Sequence, residues 1–157
     1  MDIDDLRNFQ ANMRYWRLKK DITVTRMAKL LHKQNSWISA TEAGNYVGYP
    51  KPAEMLAVAQ ILKKPMREMV KPLPKGTVLY ISPAEQETGI SNLEAIRINR
   101  GMSKSAFAFY IGVSDSQYYL NTTGSSTYSV KKWWTIAENL GIKLTTLIGR
   151  NENAIQD

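Results

Sequence analysis

The chain has 157 residues, 43% of them hydrophobic and 22% charged, a balance that builds a globular protein and not a disordered one. It holds no cysteine and a single histidine, which excludes disulfides and a histidine-rich metal cluster, so neither a metal nor a cofactor is expected. Twenty-one Lys and Arg against 14 Asp and Glu give a net charge of +7, which suits nucleic acid or an anionic membrane surface, and no apolar run approaches the roughly 18 residues of a membrane span.

The charge is uneven: residues 1–70 hold 12 basic and 7 acidic side chains, residues 71–90 two of each, and residues 91–157 seven and five. The acidic opening Met1-Asp-Ile-Asp-Asp is the wrong start for a secretory signal, so the expected location is cytoplasmic. The scattered acidic residues form no pair suited to general acid/base work, and there is no P-loop, so no enzyme is expected.

Asp4 to Lys20 predicts a first helix, with Leu6, Phe9, Met13, Trp16 and Leu18 mostly three and four apart. Thr23 caps a second, to which Met27, Leu30 and Leu31 give a buried face. The polar break His32-Lys33-Gln34 follows, then a short run whose Ile38 points inward and which Gly44 stops. Two short helices joined by a turn of about three residues make a helix-turn-helix, and Asn35 to Glu42 reads as its recognition helix. A loop rich in Gly and Pro leads to Pro52, which opens a fourth helix with Met55, Leu56, Ala59 and Leu62. Pro65 opens a last short helix with Met66, Met69 and Val70.

Residues 71–90 carry Pro72, Pro74 and Gly76 and predict a linker; its β-prone Val78-Leu79-Tyr80-Ile81 segment either packs along one domain or pairs with its copy in another chain. The pattern then restarts with a capping-box signature at Ser91 and Glu94. Shifted by eighty residues, the halves align without a gap: Thr23 falls on Ser103, Met27 on Phe107, Ala28 on Ala108, Ile38 on Tyr118 and Gly44 on Gly124. Beyond that glycine the second copy is two residues shorter, and Met55-Leu56 falls on Trp133-Trp134, Ala59 on Ala137 and Leu62 on Leu140. The repeat predicts two like domains, 1–70 and 91–150, with the linker 71–90 between them and a tail 151–157.

The spacing from Ala28 to Gly44, and in the second half Met102-Ser103-Lys104, Ala108, Ile111-Gly112-Val113-Ser114 and Gly124, resembles the XRE family of helix-turn-helix domains, that of Cro and the phage repressors. The resemblance implies an all-α fold of two tandem five-helix lambda-repressor-like domains, each with its third helix in the major groove of double-stranded DNA. Carried over by position, Asn35, Ser36, Trp37 and Ala40 face bases, although the Trp37 ring equally suits packing on its neighbouring helix. Thr25, Arg26, Lys33, Asn45 and Lys51 contact phosphates, with Tyr46 and Tyr49 beside them in the loop. Arg17 and Glu42 hold the positions of a structural ion pair. In the second domain the corresponding DNA-facing residues are Lys104, Asp115, Ser116, Gln117 and Leu120, and Gln117 is the best base reader there.

Departures from the family pattern temper this. His32 stands for the turn glycine, Lys33 for an apolar residue and Gln34 for the capping hydroxyl, while Val24 replaces a polar phosphate-binding residue that Lys104 restores in the second copy. Arg97 keeps the place of Arg17, but Thr122 stands where its glutamate would be, and Asp115 brings a negative charge toward the phosphates. The implied function is a sequence-specific transcriptional regulator of repressor type. The alternative is a protein-interaction module of the same fold, with a homodimer or another protein held through the second domain or the linker.

Overall fold

The computed structural model describes residues 1–44 and 49–151. Among them are ten α-helices and no strand, so the fold class is all-α. No described helix is long and apolar enough to cross a membrane. The helices fall into two compact units, Met1–Leu79 and Tyr80–Asp157.

The first unit opens with α1, Ile3–Lys19, where the Asp2 side chain accepts from the Asp5 N–H at 2.9 Å and two more aspartates sit in the positive first turn. Next come α2, Val24–Leu31, α3, Asn35–Ala43, α4, Pro52–Leu62, and α5, Met66–Met69. Phe9, Met13, Met27, Ile38, Val58, Leu62 and Met69 are fully buried and form one core. Asn12 of α1 donates to the carbonyls of Asn8, Met69 and Lys71 at 2.9, 3.2 and 2.7 Å, tying the first helix to the end of the last. Two residues expected in the core lie outside it. Leu30 is 41% and Leu56 54% exposed, because the buried stripes run through Met27-Ala28 on α2 and through Met55, Val58, Ala59 and Leu62 on α4, leaving each leucine one position off the stripe.

The second unit is built from α6, Pro83–Asn99, α7, Lys104–Ile111, α8, Asp115–Thr122, α9, Val130–Leu140, and α10, Leu144–Leu147. Its core holds Leu93, Phe107, Ile111, Tyr118, Trp133, Ile136 and Leu147. Asn92 donates to the Leu147 carbonyl at 2.8 Å, at the place that Asn12 holds on α1.

The stretch between the expected domains differs from its reading as a linker to residue 90. Ser82 caps α6, accepting from the Glu85 N–H at 3.1 Å while Glu85 accepts from the Ser82 N–H at 3.0 Å. The capping box expected at Ser91 and Glu94 does not form, since both already lie inside that helix. Ser82 and Ser91 each have a glutamate three residues on, and the one followed by Pro83 at the first helical turn prevails. Gly89 does not break the helix: a Cβ there would lie 2.7 Å from the Trp133 ring, so packing on Trp133 requires the bare backbone. The β-prone segment before α6 forms no strand either. Val78 is buried, and the Leu79 carbonyl accepts from Arg14 Nε at 2.7 Å within the first unit.

Candidate nucleic-acid interface

Thr23 starts α2 by accepting from the Arg26 N–H at 3.0 Å. The helix ends at His32, whose φ of 56° and ψ of 41° place a histidine in the left-handed region that glycine usually fills. Lys33 N–H then bonds the Ala28 carbonyl at 2.9 Å, closing the turn. Gln34 stands at the N-cap of α3 without giving a side-chain bond, and Gly44 ends that helix at φ 71°. The turn therefore adopts a tight left-handed stop in spite of His32, Lys33 and Gln34.

The DNA-facing candidates of the first unit divide by surroundings. Asn35 and Ser36 are exposed on the first turn of α3, whereas Trp37 and Ala40 are half-buried. Trp37 packs against the core, and the Lys33 ammonium lies 5.0 Å from the centre of its ring. Asn35 Nδ2 donates to Thr25 Oγ1 at 3.1 Å, so a base-facing and a phosphate-facing candidate are joined across the turn. Nδ2 has two hydrogens and Oδ1 two lone pairs, so this bond fixes the amide while leaving one N–H and the carbonyl oxygen for a ligand. Arg26 and Lys51 are exposed. Asn45 and Tyr46 lie outside the described residues.

Lys33 is engaged. Its ammonium forms an ion pair with Glu54 on α4, and the same carboxylate accepts from the Lys51 N–H at 2.7 Å. These bonds, with Lys33 first, hold the Glu54 carboxyl below its ordinary pKa. A phosphate contact from Lys33 has to compete with that pair. Glu54 escaped the sequence reading, although its place three residues after the Lys51 N-cap is the acidic position of a capping box.

Beneath this surface Arg17 Nε meets Glu42 Oε1 at 2.6 Å and Oε2 at 2.9 Å, and Arg17 Nη1 donates to the Ile22 carbonyl at 2.9 Å. Both side chains are almost wholly buried. The pair fastens the end of α3 to α1, and burial pushes the Glu42 carboxyl upward against the pull of the guanidinium.

The second unit keeps the outline and changes the surface. Ser103 caps α7, Ser114 caps α8, and Gly112 takes the left-handed turn position at φ 86°. Ser105 Oγ donates to Asp115 Oδ2 at 2.9 Å, where the first unit joins Thr25 and Asn35. Asp115 has no donor to offer a base, so the same bond carries the opposite chemistry. Lys104, Ser116 and Leu120 are exposed. Gln117 is half-buried, and its Nε2 donates to Asn121 Oδ1 and, at 3.2 Å, to Ser126 Oγ. The residue that looked the best reader of α8 is thus held within its own unit. Around it Phe109 is 87%, Tyr119 59% and Leu120 41% exposed, where the repeat places Lys29, Ser39 and Ala40 in the first unit.

Arg97 retains its bond to a backbone carbonyl, that of Met102 at 3.0 Å. Its carboxylate partner is Glu94, three residues back on α6, at 3.0 Å from both Nε and Nη2. Tyr118 donates its hydroxyl to the same Glu94. Arg97, first, and Tyr118 hold the Glu94 carboxyl below its ordinary value.

Comparison of the chain with family models, curated proteins and solved structures returns no match.

Proposed function

We propose that the first unit is a helix-turn-helix domain that binds double-stranded DNA, with α3 as its recognition helix, and that the second unit is a diverged copy of the same five-helix design. The reading is carried by the first turn of α3, where exposed Asn35 is hydrogen-bonded to Thr25 of α2 and Ser36 and Arg26, the next residue of each helix, are exposed as well, in the half of the chain with 12 basic and 7 acidic side chains. A major groove admits one helix, and side chains of its first turns reach base edges. Thr25 presets the Asn35 amide, whose free N–H and carbonyl oxygen match N7 and N6 of adenine. Arg26 and Lys51 supply phosphate contacts that set the register. A chain that occupies an operator in this way acts as a transcriptional repressor of phage or mobile-element type.

The test is selection of bound sequences from a random duplex library, followed by a salt titration on the recovered site. Binding should favour one motif and weaken steeply with salt. Asn35→Ala should cost about 1–3 kcal/mol of discrimination at one base pair and little nonspecific affinity. Equal affinity for the recovered site and for random duplex at moderate salt would refute the assignment.

A second reading has its own observation in α8. A reading helix that exposes Tyr119 and Leu120, leads with Asp115 and ties down Gln117 suits a protein surface better than a groove. On that reading the second unit docks a protein, and substitution of Asp115, Tyr119 or Leu120 leaves DNA affinity unchanged.

A further inference from the structure

The first unit contains a hollow of about 390 Å³ between α1, the Tyr49–Pro52 segment, α4 and α5, lined by Leu6, Tyr49, Pro50, Met55, Leu56 and Met66 among others. That volume lies within the range of small-molecule sites. None of the described lining side chains carries a charge, and the one charged group among the described lining residues is the α-ammonium of Met1 at the edge.

The second unit shows what fills this place. Along the repeat, Leu6, Pro50 and Met55 stand where the second unit has Gln86, Tyr128 and Trp133. Those three residues form a closed set. The Tyr128 and Trp133 rings meet edge to face at 5.1 Å, the Trp133 indole N–H donates to Gln86 Oε1 at 2.8 Å, and Gln86 Nε2 donates to the Tyr128 carbonyl at 2.8 Å. Tyr128 is 3% exposed. In the first unit Phe9, at the place of Gly89, returns the volume that Met55 lacks beside Trp133. Pro50 stands in place of the phenol ring, and Tyr49, one position earlier, lines the hollow while staying 46% exposed, so it does not fill the core as Tyr128 does.

We infer that this hollow binds a small neutral aromatic molecule of phenol or indole size, the ring that the second unit supplies from its own chain. Met55 and Met66 present thioethers, which favour the edges of aromatic rings. A cationic ligand finds no anionic partner among the described lining residues, meets the α-ammonium of Met1 and loses hydration on entry. The site lies apart from the Asn35–Ser36 surface, and its occupancy does not depend on DNA binding.

The experiment is a titration of the full chain, labelled at its methionine methyls, with 4-methylphenol, with indole and, as a charged control, with benzylammonium. The two neutral rings should give saturable shifts at Met55 and Met66 with a Kd of about 1 mM or tighter, in keeping with ligands of so few atoms. Benzylammonium should give none at the same concentrations. Pro50→Tyr, which restores the missing ring, should lower affinity at least about tenfold by occupying the hollow. Leu56→Lys, at an exposed lining position and so tolerated by the fold, should lower it likewise by placing a charge at the rim. Absence of saturable shifts with both neutral rings, or affinity unchanged in both variants, would overturn the assignment. The DNA reading stands or falls separately, on duplex binding without any ring present.

Discussion

In the first unit Arg17 of α1 crosses to Glu42 at the end of α3, and the two are buried together; in the second, Arg97 holds the same place on α6 and takes Glu94 of its own helix. Tyr118 then spans the gap from α8 to Glu94, from the position that Ile38 fills with a plain apolar side chain. Each unit thus fastens its third helix to its first at an arginine–glutamate pair whose arginine also holds a backbone carbonyl. One does so by a direct buried ion pair and the other by a phenol bridging to a pair nearer the surface. Cores show the same kind of exchange. Phe9 and Met55 in one unit stand for Gly89 and Trp133 in the other, large beside medium against nothing beside very large. The repeat conserves the joints between helices, and it is free in which side chain supplies them.

The core exchange gives the largest predicted effects. Trp133→Met removes an indole that is fully buried and donates to Gln86, and should cost about 3 kcal/mol, toward the lower end for loss of a large aromatic. Gly89→Phe alone should prevent native packing of α6, since even a Cβ there meets the Trp133 ring at 2.7 Å. Together, the two substitutions recreate the arrangement of the first unit and should recover most of the loss. Denaturant unfolding of the full chain, read at the second unit by its indole and methyl signals, measures the coupling. Additive losses would mean that the two units do not share a packing solution at this position.

Breaking the direct pair comes next. Arg17→Met leaves the Glu42 carboxylate buried without its partner and should cost about 3 kcal/mol or more. Arg97→Met should cost distinctly less, because Glu94 is more exposed and keeps the Tyr118 hydroxyl. Equal losses at the two positions would refute the distinction between buried pair and bridged pair.

Third are three turns. Asp21, His32 and Lys63 have φ of 58°, 56° and 54°, and the repeat places Gly101, Gly112 and Gly141 at their positions, with φ of 65°, 86° and 66°. A left-handed residue with a Cβ costs about 1–2 kcal/mol, and glycine gives back part of that gain through its unfolded-state entropy. His32→Gly should therefore stabilise the first unit by about 0.5–1 kcal/mol, and Gly112→His should destabilise the second by a similar amount. Thermal unfolding resolves both, and no change at His32 would show that its ring makes a compensating contact.

The helices were legible in the sequence because their signals are local. Thr23, Ser103 and Pro52 mark starts, Gly44 and Gly112 mark stops, and apolar residues at helical spacing mark the buried faces. The start of α6 is ambiguous in the sequence because Ser82 and Ser91 carry the same capping signature, and the place of Gly89 inside a helix is explained only by the Trp133 ring packed on it. The candidate surface was legible only as positions. That Asn35 leans on Thr25, that Lys33 is spent on Glu54 and that Gln117 turns inward to Asn121 and Ser126 all depend on partners ten, 21 and four or nine residues away, in other turns and helices. No periodicity carries such pairings. The hollow under Leu56 was invisible for a related reason, since an absent ring leaves no mark in a sequence until its counterpart Tyr128 is seen in place.

Acid should separate the two units by the smallest margin. The Arg150 guanidinium, with help from the Ser82 N–H, holds the Glu85 carboxyl down at about 2 against an ordinary value of 4.5. Arg150 meets both carboxylate oxygens, at 2.7 and 2.9 Å, and also the Tyr80 carbonyl at 2.7 Å. Glu94 in the same unit is lowered as well, mainly by Arg97. A carboxyl whose folded pKa is depressed contributes stability that is complete above its unfolded value and is lost as pH falls through the folded one. For Glu85 that window runs from about 4.5 down to about 2. In the first unit the repeat places Asp5 and Pro72 where Glu85 and Arg150 stand, so the clasp is missing; Glu54 is lowered, but Glu42 is raised by burial and works in the opposite sense. Acidification from pH 5 to 2.5 should therefore weaken the second unit more than the first, by less than about 1 kcal/mol per exposed pair after solvent screening. Hydrogen exchange of core amides across that range measures both units in one sample, and Glu85→Gln should remove part of the difference. A first unit that loses protection earlier than the second would mean that Glu42 is held as a carboxylate strongly enough to outweigh its burial.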